Sequence, residues 1–369
     1  MSDQLFDLTL TEEQRISREA MQRFAEHELR AIARQADEAA QAPTSFYDKT
    51  MELGLTILPI PEIYGGAGAP RSPVSNMLNA EDLGRGDMSL AIGALTPLSF
   101  VNCLLDYGTE AQQEQFLTPL ADEQFKAATI ALMEPKATFN VKQLETIAER
   151  SGDDYLLNGT KSMVALGASS EQILVIAHVA DEGPQAFVVA QDAAGLTIEA
   201  EKFMGLRPLA FSRITLDNVS VSANAKLGSG DQPFDIQRLV DLSIIGLCAI
   251  AVGCGQAVLD YVAPYVNERV AFGEPISNRQ SVAFMVANIA IELDAMRMMV
   301  YRAAARAEQG LDFHRQAYKA KIICAERSME IGTNGVQLLG GHGFTREHPV
   351  EMWYRNLRAV GLLQGVAVI

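Results

Sequence analysis

Apolar residues recur at helical spacing through the first 128 residues and again after residue 230. Near the beginning, Thr9 and Thr11 precede acidic residues, a pattern typical of a capped helix N-terminus, and an amphipathic helix is predicted to run to about residue 40. After residue 230, apolar residues spaced by three and four positions form one stripe: Met285, Ile289, Leu293, Met296 and Val300. Both outer regions are therefore predicted to be helical.

Between these regions the pattern changes to short runs of β-branched and apolar residues separated by Gly, Asp and Asn. The clearest runs are 173–179, 185–190, 196–199 and 213–219. The gaps are too short for helical crossovers, so an antiparallel sheet or small barrel of about 100 residues is predicted. The pair Asn158-Gly159 indicates a turn.

An α+β chain with three domains follows from this order. We expect an N-terminal α-helical domain over residues 1–128, a β-sheet or barrel domain over residues 129–230, and a C-terminal helical bundle over residues 231–369. The sequence contains no internal repeat, low-complexity tract or long linker.

Composition narrows the functional classes. The chain is 48% hydrophobic and carries a formal net charge of -16, which argues against nucleic acid as a partner because nucleic-acid binding needs basic surface. The four cysteines match no metal-site spacing and are predicted to be buried free thiols. The first seven residues do not resemble a signal peptide, and no uninterrupted apolar run spans a bilayer. A soluble cytoplasmic protein is expected.

Residues 268–284 are the strongest candidate for a ligand site. They place Arg269, Phe272, a Gly-x-Pro turn and Gln280 between two helical patterns. An arginine beside a chain reversal is well suited to binding a phosphate, although an ordinary interhelical loop has the same spacing. His342 lies between glycines, where a structural role is favoured. No common nucleotide or hydrolase motif is present, so any chemistry is expected to come from a bound cofactor.

Several motifs together resemble the acyl-CoA dehydrogenase family. They cover most of the chain: Pro-Glu-Ile-Tyr-Gly-Gly-Ala-Gly (61–68), Leu-Gly-Arg-Gly-Asp (83–87), Gly-Thr-Glu-Ala-Gln-Gln (108–113), Arg-Val-Ala-Phe-Gly (269–273) and Gln-Leu-Leu-Gly-Gly-His-Gly-Phe (337–344). The resemblance implies a C-terminal four-helix bundle and an FAD enzyme that removes a proton from Cα and a hydride from Cβ of an acyl-CoA.

The resemblance also assigns residues of this chain to one end of the cofactor. In the family, two of these stretches hold the adenosine and pyrophosphate end of FAD across a subunit interface. The corresponding residues are intact here: Arg269, Phe272, Gln280, Gln337, Gly340 and Gly341. Arginine pairs with phosphate oxygens, and glycines allow close backbone approach, so these residue types suit the assigned role.

The family's catalytic base is absent from both positions where it is known. The usual glutamate is replaced by Gln364, and the alternative glutamate, beside an arginine on the first C-terminal helix, is replaced by Gln237. An amide does not accept a proton at working pH, so neither residue is expected to be catalytic. Arg238, next to Gln237, is a candidate contact to CoA, with a structural salt bridge or an interface contact as the alternatives.

The flavin-ring end is altered as well. Residues that would hydrogen-bond or cover the ring are replaced by Met133, Met163, Ala165 and Val366, and a small serine by Phe139. Lost hydrogen bonds at roughly 1 kcal/mol each would weaken ring binding. The last helix of the family does not follow Ile369, and we expect the acyl pocket to be opened or reshaped as a result.

These observations favour a β-type subunit of a heteromeric (α2β2) acyl-CoA dehydrogenase, similar to the paired enzymes of bacterial steroid side-chain degradation. A catalytic partner would supply the base, and this chain would clamp the partner's FAD. Two alternatives remain open. One is a homotetrameric flavoprotein with lyase or desulfinase-like chemistry on an acyl-CoA, and the other is a purely structural or regulatory subunit.

Overall fold

The computed structural model describes residues 9–122, 124–228 and 232–369. The N-terminal part of these residues folds into helices, the middle into a sheet, and the remainder into a second set of helices, which confirms the predicted fold class. The expected boundary between residues 230 and 231, and the first seven residues considered for a signal peptide, lie outside the described residues.

The N-terminal helices follow the predicted pattern. They are α1 Glu12–Phe24, α2 Arg30–Ala39, α3 Thr44–Glu52, α4 Pro73–Gly86, α5 Met88–Tyr107 and α6 Glu110–Leu117. Thr11 caps α1 by accepting a hydrogen bond from the Gln14 backbone, while the Gln14 side chain bonds back to Thr11, as in a capping box. A π-helical turn joins α1 to α2, so one long helical segment ends at Ala40, close to the predicted position.

The middle region forms one sheet of seven strands. They are β1 Ala127–Ala131, β2 Ile147–Ser151, β3 Asp154–Val164, β4 Ser170–Val179, β5 Gly183–Ala190, β6 Leu196–Ala200 and β7 Ser212–Ser222. The order is β1-β4-β2-β3-β7-β6, with β5 paired to β4. Buried side chains from most of these strands form a core separate from the helical one.

Two features of the sheet correct the sequence-based expectation. The sheet is mixed rather than wholly antiparallel, because β1 pairs in parallel with β4 and the intervening strands β2 and β3 provide the crossover. Asn158-Gly159 is not a turn but a bulge within β3. Gly159 is needed there because a Cβ would lie 2.6 Å from the Cα of Thr146.

The C-terminal helices complete the fold. They are α7 Ile236–Glu268, α8 Gln280–Glu308, α9 His314–Leu338 and the short α10 Val350–Leu357, with a hairpin of β8 Val270–Ala271 and β9 Glu274–Pro275 between α7 and α8. The predicted stripe on α8 is buried from Ile289 to Val300. The four cysteines are buried and free.

Two of these helices, α5 and α7, are long and apolar enough to cross a membrane by length and composition. Their most apolar windows are 94% and 89% buried inside the protein, so they are core helices. α7 packs closely on α4, where a Cβ at Gly253 would lie 1.9 Å from the Glu81 carbonyl oxygen and one at Gly84 2.3 Å from that of Ile250. Glycine is therefore required at both crossings.

A buried ion pair lies in the sheet beside the helical domain. The Lys161 ammonium lies 3.0 Å from the Glu134 carboxylate, which also accepts hydrogen bonds from the backbone N–H groups of Glu145 and Thr146 at 2.8 Å. Burial opposes ionisation of Glu134, but Lys161 and these N–H groups outweigh it and lower its pKa. Burial lowers the pKa of Lys161 to about 8, against the opposing effect of Glu134.

Replacing Glu134 by glutamine is expected to lower the free energy of unfolding by about 3 kcal/mol, because it leaves a buried ammonium without its counter-charge. Urea denaturation measures this. The control is Glu12→Gln, which removes an exposed pair with Arg15 and is expected to change stability by less than about 0.5 kcal/mol. Equal effects of the two substitutions would contradict the role of burial.

Candidate functional site

Five of the six residues assigned to the adenosine end of FAD line one cavity. It has a volume of 710 Å³ and lies between the β8–β9 hairpin, the start of α8 and the end of α9. The five are Arg269, Phe272, Gln337, Gly340 and Gly341. The sixth, Gln280, is the first residue of α8 and is exposed beside Arg279 and Ser281, which do line the cavity.

The hairpin presents Phe272 outward in a strained conformation. Ala271 pairs with Glu274, so the loop has two residues, Phe272 and Gly273, with φ values of 57° and 86°. Positive φ at both positions is what a type I′ turn requires, but it is unfavourable for phenylalanine. The ring is 95% exposed, and its contact is the Arg279 guanidinium, 5.7 Å from the ring centroid. Such strain and exposure are typical of a residue that binds a ligand.

Polar side chains in and beside the cavity are available for a ligand. Within the described residues, Arg269 forms no ion pair, and the side chains of Gln280 and Gln337 form no hydrogen bond. All three residues are exposed. A Cβ at Gly340 or Gly341 would meet nothing within 4 Å, so the backbone there is open to close approach. An unpaired arginine beside open glycines suits a phosphate group.

His342 also lines the cavity. Its Nδ1 lies 2.9 Å from the Tyr265 hydroxyl, and its ring lies 5.6 Å from that of His348, which bonds to the Tyr261 hydroxyl at 2.7 Å. These contacts support the structural role expected for His342.

The two glutamines at the base positions have different surroundings. Gln237 lies in the first turn of α7 and donates to Asp241, whose carboxylate also bonds to His314 at 3.0 Å. Gln364 follows a segment whose carbonyl groups at Val360 and Leu363 accept hydrogen bonds from Lys321. Neither glutamine is paired with a group that would give it acid–base chemistry.

Arg238 is also away from the cavity. Its guanidinium lies 5.6 Å from the ring centroid of Phe313, where the first turns of α7 and α9 meet. This packing accounts for Arg238 without a ligand, and its assignment to CoA stays a prediction.

The positions assigned to the flavin ring form an apolar, packed region. Met133, Phe139 and Met163 are partly buried against the helical core, and Ala165 and Val366 are buried within it. The backbone of Met163 has a φ of 55° and its N–H donates to Glu201 at 2.8 Å, so Met163 is fixed in place. These side chains offer no donor to a ring nitrogen or oxygen.

The acyl pocket was expected to be opened or reshaped where the family's last helix does not follow, and this stays a prediction. Residues 366–369 are each at most 6% exposed and pack into the interior between α5 and α7. The Val368 N–H donates to Ser99 Oγ, and the Asn102 amide donates to the Val368 carbonyl, both at 2.9 Å. Sequence patterns missed Ser99 and Asn102 because their partner is more than 260 residues away in the chain.

Models of one family match the chain in three consecutive parts. The N-terminal domain of acyl-CoA dehydrogenases matches residues 11–124, the middle domain residues 129–219, and the C-terminal domain residues 236–368. The chain therefore belongs to the acyl-CoA dehydrogenase family.

Individual relatives agree with this assignment over nearly the whole chain. A probable acyl-CoA dehydrogenase of Bacillus subtilis, YngJ, is 32% identical over 98% of this chain and 96% of its own length. The structure of butyryl-CoA dehydrogenase from Megasphaera elsdenii is similar with a TM-score of 0.87, at 30% identity over 96% of this chain and 94% of that one.

FAD is the cofactor of this family. One similar structure is a glutaryl-CoA dehydrogenase from Mycobacterium smegmatis in complex with FADH2, with a TM-score of 0.85 and 26% identity over 95% of this chain and 90% of that one. The residues of this chain fit the adenosine end of FAD, because the cavity has an unpaired arginine, an exposed aromatic ring and open glycines. They do not fit the ring end, because Met133, Ala165 and Val366 are apolar and packed.

Replacing Arg269 by alanine is expected to weaken FAD binding to the assembled protein about tenfold or more, since a hydrogen bond to a charged group contributes about 1.5–3 kcal/mol. Flavin fluorescence titration measures this. Unfolding free energy is expected to be unchanged, because Arg269 is exposed and forms no ion pair among the described residues.

The matched control for this substitution is Arg315→Ala. Arg315 is also exposed, but it lies at the opposite end of α9 from Gln337. Equal FAD affinity of the Arg269→Ala and Arg315→Ala proteins would contradict the assignment of Arg269 to the cofactor.

Proposed function

We propose that this chain is the non-catalytic subunit of a heteromeric acyl-CoA dehydrogenase and clamps the adenosine end of FAD held by a catalytic partner. The observation that carries the proposal is the contrast between the two ends of the cofactor. The cavity at Arg269 is open and includes an arginine without an ion-pair partner among the described residues, whereas the ring-end side chains Met133 and Val366 are apolar, the first partly buried and the second buried.

The absence of a base supports the same division of roles. Proton abstraction from Cα needs a carboxylate within hydrogen-bond reach, and Gln364 provides only an amide. The partner would supply the carboxylate together with the contacts to the flavin ring and the substrate. This chain would supply an arginine, an aromatic ring and glycines across the interface.

An exposed apolar face beside the cavity is a suitable surface for that partner. Phe284, Ile291 and Met298 lie seven residues apart on α8 and are 57%, 64% and 42% exposed. Positions seven apart share one face of a helix, and α9 adds exposed Tyr318 and Ile322. Because Phe284 follows the cavity residues Ser281 and Val282 on α8, a partner on this face would lie next to the clamp.

The acyl group would be bound by the partner. The sequence resemblance implies a bulky steroid side-chain CoA thioester. One enzyme of similar structure is a butyryl-CoA dehydrogenase, whose substrate has a short acyl chain. A panel of CoA thioesters from butyryl to steroid-sized, assayed with the assembled complex, distinguishes these two classes.

The first test is to produce the chain alone and together with an acyl-CoA dehydrogenase chain that is encoded beside it and retains the catalytic glutamate. We expect the isolated chain to lack both FAD and dehydrogenation, and the pair to purify as one complex with both. Flavin absorbance and reduction of an artificial electron acceptor measure this. Full FAD content in the isolated chain, with dehydrogenation or with sulfite release from a sulfinyl acyl-CoA, would contradict the proposal and favour a homomeric flavoprotein.

A second test addresses the apolar face. Ile291→Asp is expected to prevent co-purification of the partner, because an unpaired carboxylate would be buried in the interface. Ile16→Asp is the control, since Ile16 is similarly exposed at 58% but lies on α1. Size-exclusion chromatography reads out the complex, and equal behaviour of the two variants would argue against this face as the interface.

A further inference from the structure

Residues 364–369 form a buried segment with neither helix nor strand. Backbone groups in such a segment must find hydrogen-bond partners other than a helix or sheet, or their burial is unfavourable. Three of these backbone groups are bonded to side chains of the N-terminal domain. Ser99 and Asn102 bond to the N–H and carbonyl of Val368, and Arg71 donates to the Ile369 carbonyl at 2.5 Å.

These partners are unusual for the helix that carries them. α5 is a core helix of mostly apolar residues, yet Ser99 and Asn102 lie one turn apart on it and are only 2% and 0% exposed. Buried polar side chains are unfavourable unless they are paired. Their pairing with one backbone unit therefore makes this position of the segment specific rather than incidental.

The fit on the opposite side is equally close. A Cβ at Gly246 of α7 would lie 2.1 Å from the Ala367 carbonyl oxygen, so only glycine allows the segment to lie there. Gly365 has a φ of 77°, and a Cβ on it would lie 2.9 Å from a methyl group of Leu132. The segment thus occupies the space between α5 and α7 and reaches the start of the flavin-ring region.

The segment borders the place that the resemblance assigns to the acyl chain. In a dehydrogenase the base removes a proton from Cα while the hydride leaves Cβ toward the flavin, so the acyl chain must lie between the base position and the flavin ring. The segment begins at Gln364, the base position, whose backbone nitrogen lies 3.3 Å from the sulfur of Met133, a ring-side position. It then continues into the space between α5 and α7.

We propose that residues 364–369 are an internal plug that fills this chain's own acyl site, anchored by Ser99, Asn102 and Gly246. The inference rests on the proposed non-catalytic role and gives a physical reason why this chain would not bind an acyl-CoA. The chain is inactive because its acyl site is filled by its own backbone, in addition to lacking a carboxylate. One acyl-CoA is therefore bound for each pair of chains in the complex.

Hydrogen–deuterium exchange of the assembled complex tests the plug. Peptides covering residues 364–369 are expected to exchange at least about a hundredfold more slowly than an unstructured chain, because these N–H groups are buried and that of Val368 is hydrogen-bonded to Ser99, so exchange requires opening. Saturating butyryl-CoA or octanoyl-CoA is expected to leave this protection unchanged. Calorimetric titration with the same thioesters is expected to give one site per pair of chains.

Two buried serines provide matched variants. Ser99→Ala removes the acceptor of the Val368 N–H and is expected to raise exchange in residues 364–369 at least about tenfold. Ser243→Ala alters a buried serine of α7 whose hydroxyl has no hydrogen-bond partner among the described residues, and is expected to leave exchange there unchanged. The exchange of α9 peptides reports whether either variant is globally unfolded. If the Ser99→Ala protein is unfolded, the calorimetric titration of the unaltered complex tests the plug instead.

Three results would overturn the plug: unprotected exchange in residues 364–369 of the unaltered complex, loss of protection on adding a thioester, or one thioester bound per chain. Each leaves the proposed function standing if the isolated chain still lacks FAD and activity. Conversely, an isolated chain that holds FAD and turns over substrate refutes the proposed function itself.

Discussion

The close packing of α7 against α4 is the constraint on which the other features depend. Gly84 and Gly253 let the two backbones meet, and this contact fixes α7 along its 33 residues, about 50 Å at 1.5 Å per residue. Toward its N-terminal end, Gly246 faces the buried segment 364–369. At its other end the helix leads directly into Arg269 and the β8–β9 hairpin. A single rigid helix therefore joins the closed interior to the open cavity.

The distribution of polar groups along this frame separates two kinds of site. In the interior, the Ser99 hydroxyl and the Asn102 amide nitrogen are hydrogen-bonded to the backbone of Val368. At the cavity, the side chains of Arg269 and Gln337 are exposed and have no partner among the described residues, and Phe272 is held in an unfavourable backbone conformation. The cavity therefore leaves an arginine, a glutamine and an exposed aromatic ring available for a ligand, as the proposed shared cofactor site requires.

Much of the fold could be predicted from local patterns. The helical regions, the cap at Thr11 and four of the seven strands follow from periodicity and capping, which depend on neighbouring residues. The parallel pairing of β1 with β4 could not be predicted, because it joins strands 40 residues apart. The same reason explains the bulge at Gly159, which is set by contact with Thr146.

In the candidate site too, features set by neighbouring residues could be predicted, and features set by distant contacts could not. The residues of the cavity lie in two short motifs, so the resemblance identified them and the structure brings five of the six to one place. The burial of residues 366–369 was not foreseen, because a run of four apolar residues has no informative periodicity. Its position depends on Ser99, Asn102 and Gly246, which lie far away in sequence.

The central claim is that this chain contributes half of a cofactor site and holds no complete one. The most direct measurement is the ratio of FAD to protein in the purified complex, from flavin absorbance and quantitative amino-acid analysis. The account predicts one FAD for each pair of unlike chains, with none retained by this chain after the partner is removed. Two FAD per pair, or FAD retained by this chain alone, would contradict it.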